Sequence, residues 1–221
     1  MSRIVGEAEN GQDTNSSVLA RLEADLLASH FRPGEWLKQA DIEAAYQANR
    51  FDVRMALLEL RARQLIEHVP NRGFRVANPT EKERRELAET RAILETAAAR
   101  MAAERASDED IEMLAAIVNE FEGRMSEADV DTLRELNGRF HDRLYAACGN
   151  AVLSNEIRAL RQRGLPGSRG SWSWRTIAGV RSSHQDHVTM VALLRVRDGG
   201  ALAQVVERHL NRWRDHRPET A

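Results

Sequence analysis

The chain has 221 residues, of which 42% are hydrophobic, so it can hold one large domain or two smaller ones with packed cores. Its 32 basic and 34 acidic residues nearly balance, and the formal net charge of -2 excludes a polybasic tail as a dominant feature. No run approaches the roughly 20 apolar residues of a membrane helix, and the single Cys148 excludes an internal disulfide. We therefore expect a globular cytoplasmic protein whose contact with any phosphate depends on a local basic patch.

The N-terminal third of the sequence predicts three helices followed by a β-hairpin. Residues 1–15 lack an apolar h-region, and we expect them to be disordered. Apolar residues at helical spacing predict a first helix in "SSVLARLEADLLASHF", which the Pro-Gly turn of "RPGEWL" ends. A short second helix follows in "QADIEAAYQA", and a third runs from Asn49 to about Arg63. "QLIEHV" and "FRVA", joined by "PNRG", complete a winged helix-turn-helix over residues 16–79.

Beyond residue 80 the sequence shows helix signals and no strand signal. Three pairs with capping-box spacing mark helix starts: Thr80 with Glu83, Ser107 with Asp110, and Ser126 with Asp129. Three more helices are expected in "CGNAVLSNEIRALRQR", from about Trp174 to Val196, and from Gly200 to Arg214. Residues 80–217 should therefore form an all-α six-helix bundle, and the fold class of the whole chain is mainly α.

One side of the third helix carries arginines beside the apolar face of that helix, which consists of Val53, Ala56, Leu57 and Leu60. At about 100° per residue three of them lie together: Arg50, Arg54 and Arg61. An arginine fork fits guanine O6 and N7 or a phosphate, and an asparagine can pair with adenine. The alternative is a solvated helix face without a ligand. The hairpin that follows, with an arginine in its "NRG" turn where a wing would lie, favours DNA.

These stretches also carry a family resemblance. Residues 17–79 resemble the DNA-binding domain of the GntR family of bacterial transcription regulators, whose usual pattern has Pro-Gly before the second helix, a Val-Ser-Arg-x-Pro-Val-Arg run and an Asn-Arg-Gly wing. The matching stretches are "RPGEWL", "ANRFDVRMALLEL" and "VPNRGFRV". The resemblance implies operator contacts at or beside the matched positions: Asn49, Arg50, Arg54, Arg72 and Gly73.

The sequence departs from that pattern within the third helix and just before it. Asn49 stands where Ser or Thr is usual, and Phe51 and Asp52 replace a Thr-Pro pair. Gln47 replaces a Gly, and Met55 occupies a position that is more often Glu. The way the domain docks on DNA should survive these changes, but the operator sequence cannot be taken from relatives.

Three histidines and an asparagine in the second half of the chain could meet inside the bundle. Asn137 and His141 lie four residues apart on one predicted helix and therefore share a face, while His187 and His209 come from two later helices. Neutral imidazoles with an amide oxygen suit a divalent ion such as zinc or nickel. Taken one at a time, such histidines are more typical of core or surface positions, so the residues alone leave both interpretations open. His184 is a rival for His187.

A second resemblance favours the metal. Residues 81–215 resemble the FCD effector-binding domain of the FadR subfamily of GntR regulators, in its shorter VanR-like form. The matching stretches are "TRAILETAAARMAA", "NGRFHDRLYAACGN", "DHVTMVALLRVRDGG" and "ERHL". The resemblance implies a divalent metal held by Asn137, His141, His187 and His209, and its "DH" pair favours His187 over His184.

Arg91 and Glu95 lie four residues apart on the first helix of the predicted bundle. Their spacing alone fits an exposed helical ion pair worth a few tenths of a kcal/mol. The FCD resemblance implies instead that Arg91 faces a cavity and binds the carboxylate of an effector.

Together these observations predict a bacterial transcription regulator, a repressor or an activator, that binds double-stranded operator DNA as a homodimer and responds to a small organic acid. A metal-dependent enzyme acting on a small organic acid is the alternative from another class, because three histidines around an open metal site can activate water. No recognisable motif supplies the general base of such an enzyme, and its reaction would not require a winged domain with an arginine face. A helical scaffold without a ligand is the third interpretation.

Overall fold

A computed structural model describes residues 14–127, 130–163 and 177–211 of the chain. Contacts divide the chain into two compact units, the first formed mainly by residues up to Glu81 and the second mainly by residues from Lys82 onward. Most of the expected disordered segment, residues 1–15, lies outside the described residues, but its last two residues begin the first helix at Thr14. No helix in the described ranges is long and apolar enough to cross a membrane.

The first unit contains three helices and a three-stranded antiparallel sheet. In chain order its elements are α1 (Thr14–Leu27), β1 (Trp36–Leu37), α2 (Gln39–Tyr46), α3 (Arg50–Ala62), β2 (Ile66–Val69) and β3 (Gly73–Val76). The predicted order of three helices and a hairpin is confirmed. The sheet order is β1-β3-β2, and β1 was not predicted, because a strand of two residues is too short to show alternation.

Helix α3 packs by one apolar face, and its first turn is closed by its own side chains. The buried apolar residues of α3 are those of the predicted apolar face: Val53, Ala56, Leu57 and Leu60. Asn49 caps the helix, since its Oδ1 accepts from the Asp52 backbone N–H at 2.9 Å and its Nδ2 donates to Asp52 Oδ2 at 2.7 Å. Gln47, just before α3, adopts a left-handed conformation with φ 52, which the family's usual Gly would adopt without strain. The exposed side of α3 is thereby held in a fixed orientation.

The second unit contains the six predicted helices. They are α4 (Glu81–Arg105), α5 (Asp108–Arg124), α6 (Val130–Ala146), α7 (Ala151–Arg163), α8 (Ile177–Arg195) and α9 (Gly199–Asn211). Four fully buried alanines on α4 allow neighbouring helices to approach closely: Ala98, Ala99, Ala102 and Ala103. A Cβ at Gly199 would lie 3.2 Å from the Arg100 carbonyl oxygen, so glycine lets the start of α9 approach α4 without crowding. The predicted start of α8 at Trp174 lies outside the described residues. So do the loop before it and the last residues of the predicted bundle, up to 217.

Two of the predicted capping boxes have different outcomes. The box at the start of α5 is confirmed, because Ser107 Oγ accepts from the Asp110 N–H at 3.0 Å and Asp110 Oδ2 accepts from the Ser107 N–H at 2.9 Å. The start predicted at Ser126 is wrong. Residues Met125–Glu127 form a 3-10 turn that continues from α5, and α6 begins only at Val130. Asp129 lies outside the described residues.

The two serines therefore make a matched pair of substitutions. Ser107→Ala removes a side-chain acceptor from the first turn of α5, and we expect it to lower the free energy of unfolding by about 1 kcal/mol. Ser126→Ala removes no cap and should change that free energy by less than about 0.5 kcal/mol. Urea unfolding followed by circular dichroism measures both, and equal losses for the two variants would contradict the assignment.

Candidate functional site

Four arginines of the first unit form an exposed basic surface around α3 and the turn after β2. Arg63 is paired with Glu23 at 2.7 Å and with Glu59 at 3.1 Å, and Arg75 is paired with Glu67. Within the described part of the chain, the other four arginines between Asn49 and Arg75 have no ion pair. They are Arg50, Arg54, Arg61 and Arg72, and we call them the arginine surface. Because the nearby acidic residues are buried or already paired, the arginine surface keeps its positive charge.

The turn between β2 and β3 holds Arg72 in place. Asn71 and Gly73 on either side of it have φ 61 and φ 94, and a Cβ at Gly73 would meet nothing within 4 Å, so the glycine is required for its backbone conformation. The Arg72 guanidinium lies over the Trp36 ring, 4.6 Å from its centroid, in a cation–π contact. Trp36 belongs to the strand β1 that the sequence did not predict, and its supporting role was missed with it.

The structure gives Asn49 a task other than DNA contact. Both ends of its amide already bond to Asp52, one to the backbone and one to the carboxylate. One amide hydrogen remains for another acceptor. A role of Asn49 at the operator remains a prediction, and its function as the cap of α3 is established by these bonds.

Three imidazole rings from α6, α8 and α9 meet inside the second unit. His141, His187 and His209, which we call the histidine triad, have ring centroids 5.0 to 5.1 Å apart. One ring nitrogen of each lies within 4.8 Å of the others. His141 and His187 are each 1% exposed. The three residues predicted from separate helices are therefore brought together.

The atoms around the histidine triad fit a divalent ion. Asn137 lies one turn before His141, and its Oδ1 is buried with no hydrogen-bond partner among the described residues, as is Nδ1 of His141. Leaving such atoms unsatisfied is costly, so a cation that accepts their lone pairs would stabilise the fold. Nitrogen ligands at about 2.1 Å in tetrahedral geometry lie about 3.4 Å apart. The nitrogen atoms of the histidine triad lie within 4.8 Å of one another, which is close to that spacing.

A carboxylate beyond the histidine triad fixes one of its rings. Asp186 is 3% exposed, and its Oδ2 lies 3.2 Å from His209 Nδ1, while its Oδ1 accepts from Arg208 at 3.0 Å. Since a carboxylate only accepts, His209 donates from Nδ1 and keeps the lone pair on Nε2 for an ion. From the sequence, Asp186 was recognised only as part of a "DH" pair, and its contact with His209 was missed.

The rival histidine lies apart from the group of three. His184 stacks on Phe121 with ring centroids 5.1 Å apart and planes 7° apart, and burial lowers its pKa. The cluster of possible metal ligands contains His187 and not His184. The structure therefore supports His187 as the α8 member.

Arg91 belongs to a buried cluster of charges and not to an exposed helical pair. Glu95 is fully buried and accepts from Arg91 Nε at 2.7 Å, from Arg161 Nη1 at 3.2 Å and from the Tyr145 hydroxyl at 2.6 Å. Burial alone would raise the pKa of Glu95, but the two arginines and the hydroxyl lower it below its usual range. Two guanidinium groups against one carboxylate leave a local excess of positive charge. We call these four residues the Glu95 cluster.

The Glu95 cluster adjoins the histidine triad. The Tyr145 ring stacks with His141 at 5.9 Å between centroids. Burial, followed by the positive charge of Arg161 and the neighbouring histidines, holds the pKa of His141 well below its usual range. His141 is therefore a neutral imidazole at neutral pH, which is the form that binds a metal ion.

Comparison with protein families assigns both units. The model of the FCD domain matches residues 86–212, and the model described as bacterial regulatory proteins of the gntR family matches residues 14–76. The chain belongs to the GntR family and carries an FCD domain. It is a DNA-binding transcription regulator of that family, which argues against the enzyme alternative.

Individual relatives agree with this assignment along most of the chain. The Nta operon transcriptional regulator of Aminobacter aminovorans is 28% identical over 84% of this chain and 86% of its own length. The HTH-type transcriptional repressor GlaR of Escherichia coli is 27% identical over 86% of this chain and 89% of its own. Among solved structures, E. coli McbR/YncC has a TM-score of 0.80 at 19% identity, covering 91% of this chain and 95% of that one, and shows the same fold.

Helix α4 carries two glutamates that each pair with a cation four residues earlier. One of these glutamates is buried and the other is exposed. Glu95→Gln leaves two guanidinium groups facing a neutral amide inside the second unit, and we expect it to lower the free energy of unfolding by about 3 kcal/mol. Glu86→Gln breaks the exposed pair with Lys82, at 3.5 Å, and should change the free energy of unfolding by less than about 0.5 kcal/mol. Thermal and urea unfolding of both variants checks this, and similar stabilities would show that Glu95 is not a buried anion.

Proposed function

We propose that this regulator is a homodimeric repressor whose operator affinity is controlled by a small organic acid, bound beside a zinc or nickel ion in the second unit. The observation that carries the proposal is the position of the histidine triad next to the Glu95 cluster. The histidine triad could hold a cation, and the Glu95 cluster has an excess of positive charge. A site with both properties favours a ligand with a carboxylate. Operator DNA implies that the protein works in the cytoplasm.

The arginine surface supports the DNA-binding side of the proposal. Residues at the start of a recognition helix contact base edges, while a wing reaches the neighbouring groove or backbone. The proposed operator contacts are Asn49, Arg50, Arg54, Arg72 and Gly73. A two-fold dimer would place two α3 helices one DNA turn apart on a pseudo-palindrome. GlaR is named a repressor, which favours repression here as well.

In the metal site we assign Asn137, His141, His187 and His209 as ligands. Three neutral imidazoles and a neutral amide leave the charge of a divalent ion uncompensated, so the bound ion would attract an anion. Imidazole ligands suit zinc and nickel, whereas magnesium and calcium prefer sites made only of oxygen atoms. Asp186 would orient His209 by accepting its Nδ1–H.

For the effector we assign Arg91, with Arg161 as a second candidate that the sequence did not indicate. Arg91 uses Nε for Glu95, and its Nη atoms have no hydrogen bond among the described residues, so they are available for a carboxylate. The effector would alter operator affinity only if it binds two states of the dimer unequally, for example two separations of the DNA-binding domains.

Operator binding should depend on the arginines of α3 that have no internal partner. Arg50→Ala or Arg54→Ala should weaken operator binding by about 1 to 3 kcal/mol, because each would lose a contact to a base or phosphate. Arg139→Ala makes the same change in charge on an exposed arginine of the second unit and should leave binding nearly unchanged. Fluorescence anisotropy on a promoter fragment measures all three, and equal losses would indicate only a general effect of charge.

Metal content should follow the histidine triad. Protein purified without chelator should contain about one divalent ion per chain, and His187→Ala or His209→Ala should reduce that content and the thermal stability of the native protein. Asp186→Asn should weaken metal affinity about 10- to 100-fold, because it removes the carboxylate that orients His209. His68→Ala, in the exposed wing, is the control. Elemental analysis showing no metal, with no thermal shift on adding zinc or nickel, would refute the site.

The response to an effector should depend on Arg91. In a screen of small carboxylic acids, an acid that releases wild-type protein from its promoter should need at least about tenfold higher concentration for Arg91→Ala, since a charge-assisted hydrogen bond is lost. DNA binding without the acid should be preserved, because Glu95 remains paired with Arg161. Arg139→Ala, an exposed arginine paired with Glu120, serves as control. Release of Arg91→Ala at the wild-type concentration would exclude this role.

A further inference from the structure

The outermost side of α3 is apolar, although this helix is expected to enter DNA. Phe51, Met55 and Leu58 are 68%, 41% and 38% exposed, and their spacing places them on one line along the helix. We call these three residues the apolar stripe. Among the described residues eight large hydrophobic side chains are exposed, and three of them lie on this helix. Isolated exposed hydrophobic residues need no explanation, but a contiguous line of them on one helix does.

The apolar stripe points directly away from the core of the first unit. At 100° per residue it lies opposite the buried residues Val53, Leu57 and Leu60. Arg50 and Arg54, which belong to the arginine surface, lie along one edge of it. Along the other edge Glu59 is held by Arg63 at 3.1 Å. The stripe is therefore bordered by positive charge and by a carboxylate whose charge is already compensated.

We propose that Phe51 and Met55 contact the 5-methyl groups of thymines in the major groove of the operator, so that the apolar stripe selects thymine at defined positions. This inference rests on the DNA-binding function. Neither side chain can donate a hydrogen bond to a base, so any selection by the stripe comes from apolar contact. The thymine methyl is the apolar group that the major groove presents, and phenylalanine is among the side chains that contact it.

The charges beside the stripe favour DNA as the occupant over a second protein surface. A protein partner would have to bury Arg50 and Arg54 together with the stripe, although these arginines have no carboxylate partner among the described residues. DNA phosphates compensate the same charges while the base edges meet the stripe. Phe51 also lies in the first turn of α3, where residues of a recognition helix reach base edges.

The test removes single methyl groups from the DNA. An operator is first selected from random DNA with the full-length protein, and each thymine of one half-site is then replaced in turn by deoxyuridine, which differs only by that methyl. At one or two positions wild-type protein should bind the uracil operator about two- to fivefold more weakly, the size expected for one buried methyl. Phe51→Ala should bind thymine and uracil operators equally at the position that Phe51 contacts. Val152→Ala truncates a hydrophobic side chain of similar exposure, 74%, on α7 and should discriminate as the wild type does.

Two results would overturn the inference while leaving the regulator function intact. In the first, wild-type protein selects an operator but binds every uracil version as tightly as the thymine version. In the second, both Phe51→Ala and Met55→Ala keep the full discrimination, and light scattering shows instead that they change the oligomeric state, which would make the stripe a protein interface. Failure of the full-length protein to select any sequence would refute sequence-specific DNA binding itself, and the stripe proposal with it.

Discussion

Three imidazole rings from three helices share the interior of the second unit, and their close packing limits how much positive charge they can carry together. Protonated rings with centroids 5.0 Å apart in a buried site would repel each other strongly. Burial, and then the charge of Arg161, holds His141 in the neutral form. The same condition makes the rings suitable as metal ligands, and Asp186 fixes the tautomer of one of them. The packing of α6, α8 and α9 around this point therefore depends on the chemistry that we assign to the site.

Between Asn49 and Arg75 all three acidic residues have internal partners, whereas four of the six arginines have no ion pair among the described residues. Asp52 is bonded to the cap of α3, while Glu59 and Glu67 are paired with Arg63 and Arg75. A chain with a net charge of -2 can thereby present a local basic surface to DNA. The cation–π contact with Trp36 holds Arg72 in the wing, and the cap made by Asn49 holds the first turn of α3. In both candidate sites, the residues that we propose as ligand contacts are held in place by neighbouring side chains.

The sequence predicted the elements well where signals were long or chemically specific. Helical periodicity indicated all the helices of the described ranges, and the Ser107 capping box was confirmed in detail, whereas the 3-10 turn at Ser126 could not be distinguished from a helix start by side-chain spacing. The histidine triad required the family resemblance, because its members are distant in the sequence. Contacts formed between elements were missed: Trp36 with Arg72, Asp186 with His209, and Arg161 and Tyr145 with Glu95. Such contacts depend on tertiary packing, which no local pattern records.

The most direct test of the account is X-ray absorption spectroscopy of the native protein, prepared without chelator, at the absorption edge of its metal. The account predicts a divalent ion bonded to three imidazole nitrogens at about 2.1 Å, with oxygen completing the coordination, and loss of that signature when the histidine triad is replaced by alanine. Protein that contains no metal, or a metal whose ligands are unchanged in the triple variant, would contradict it.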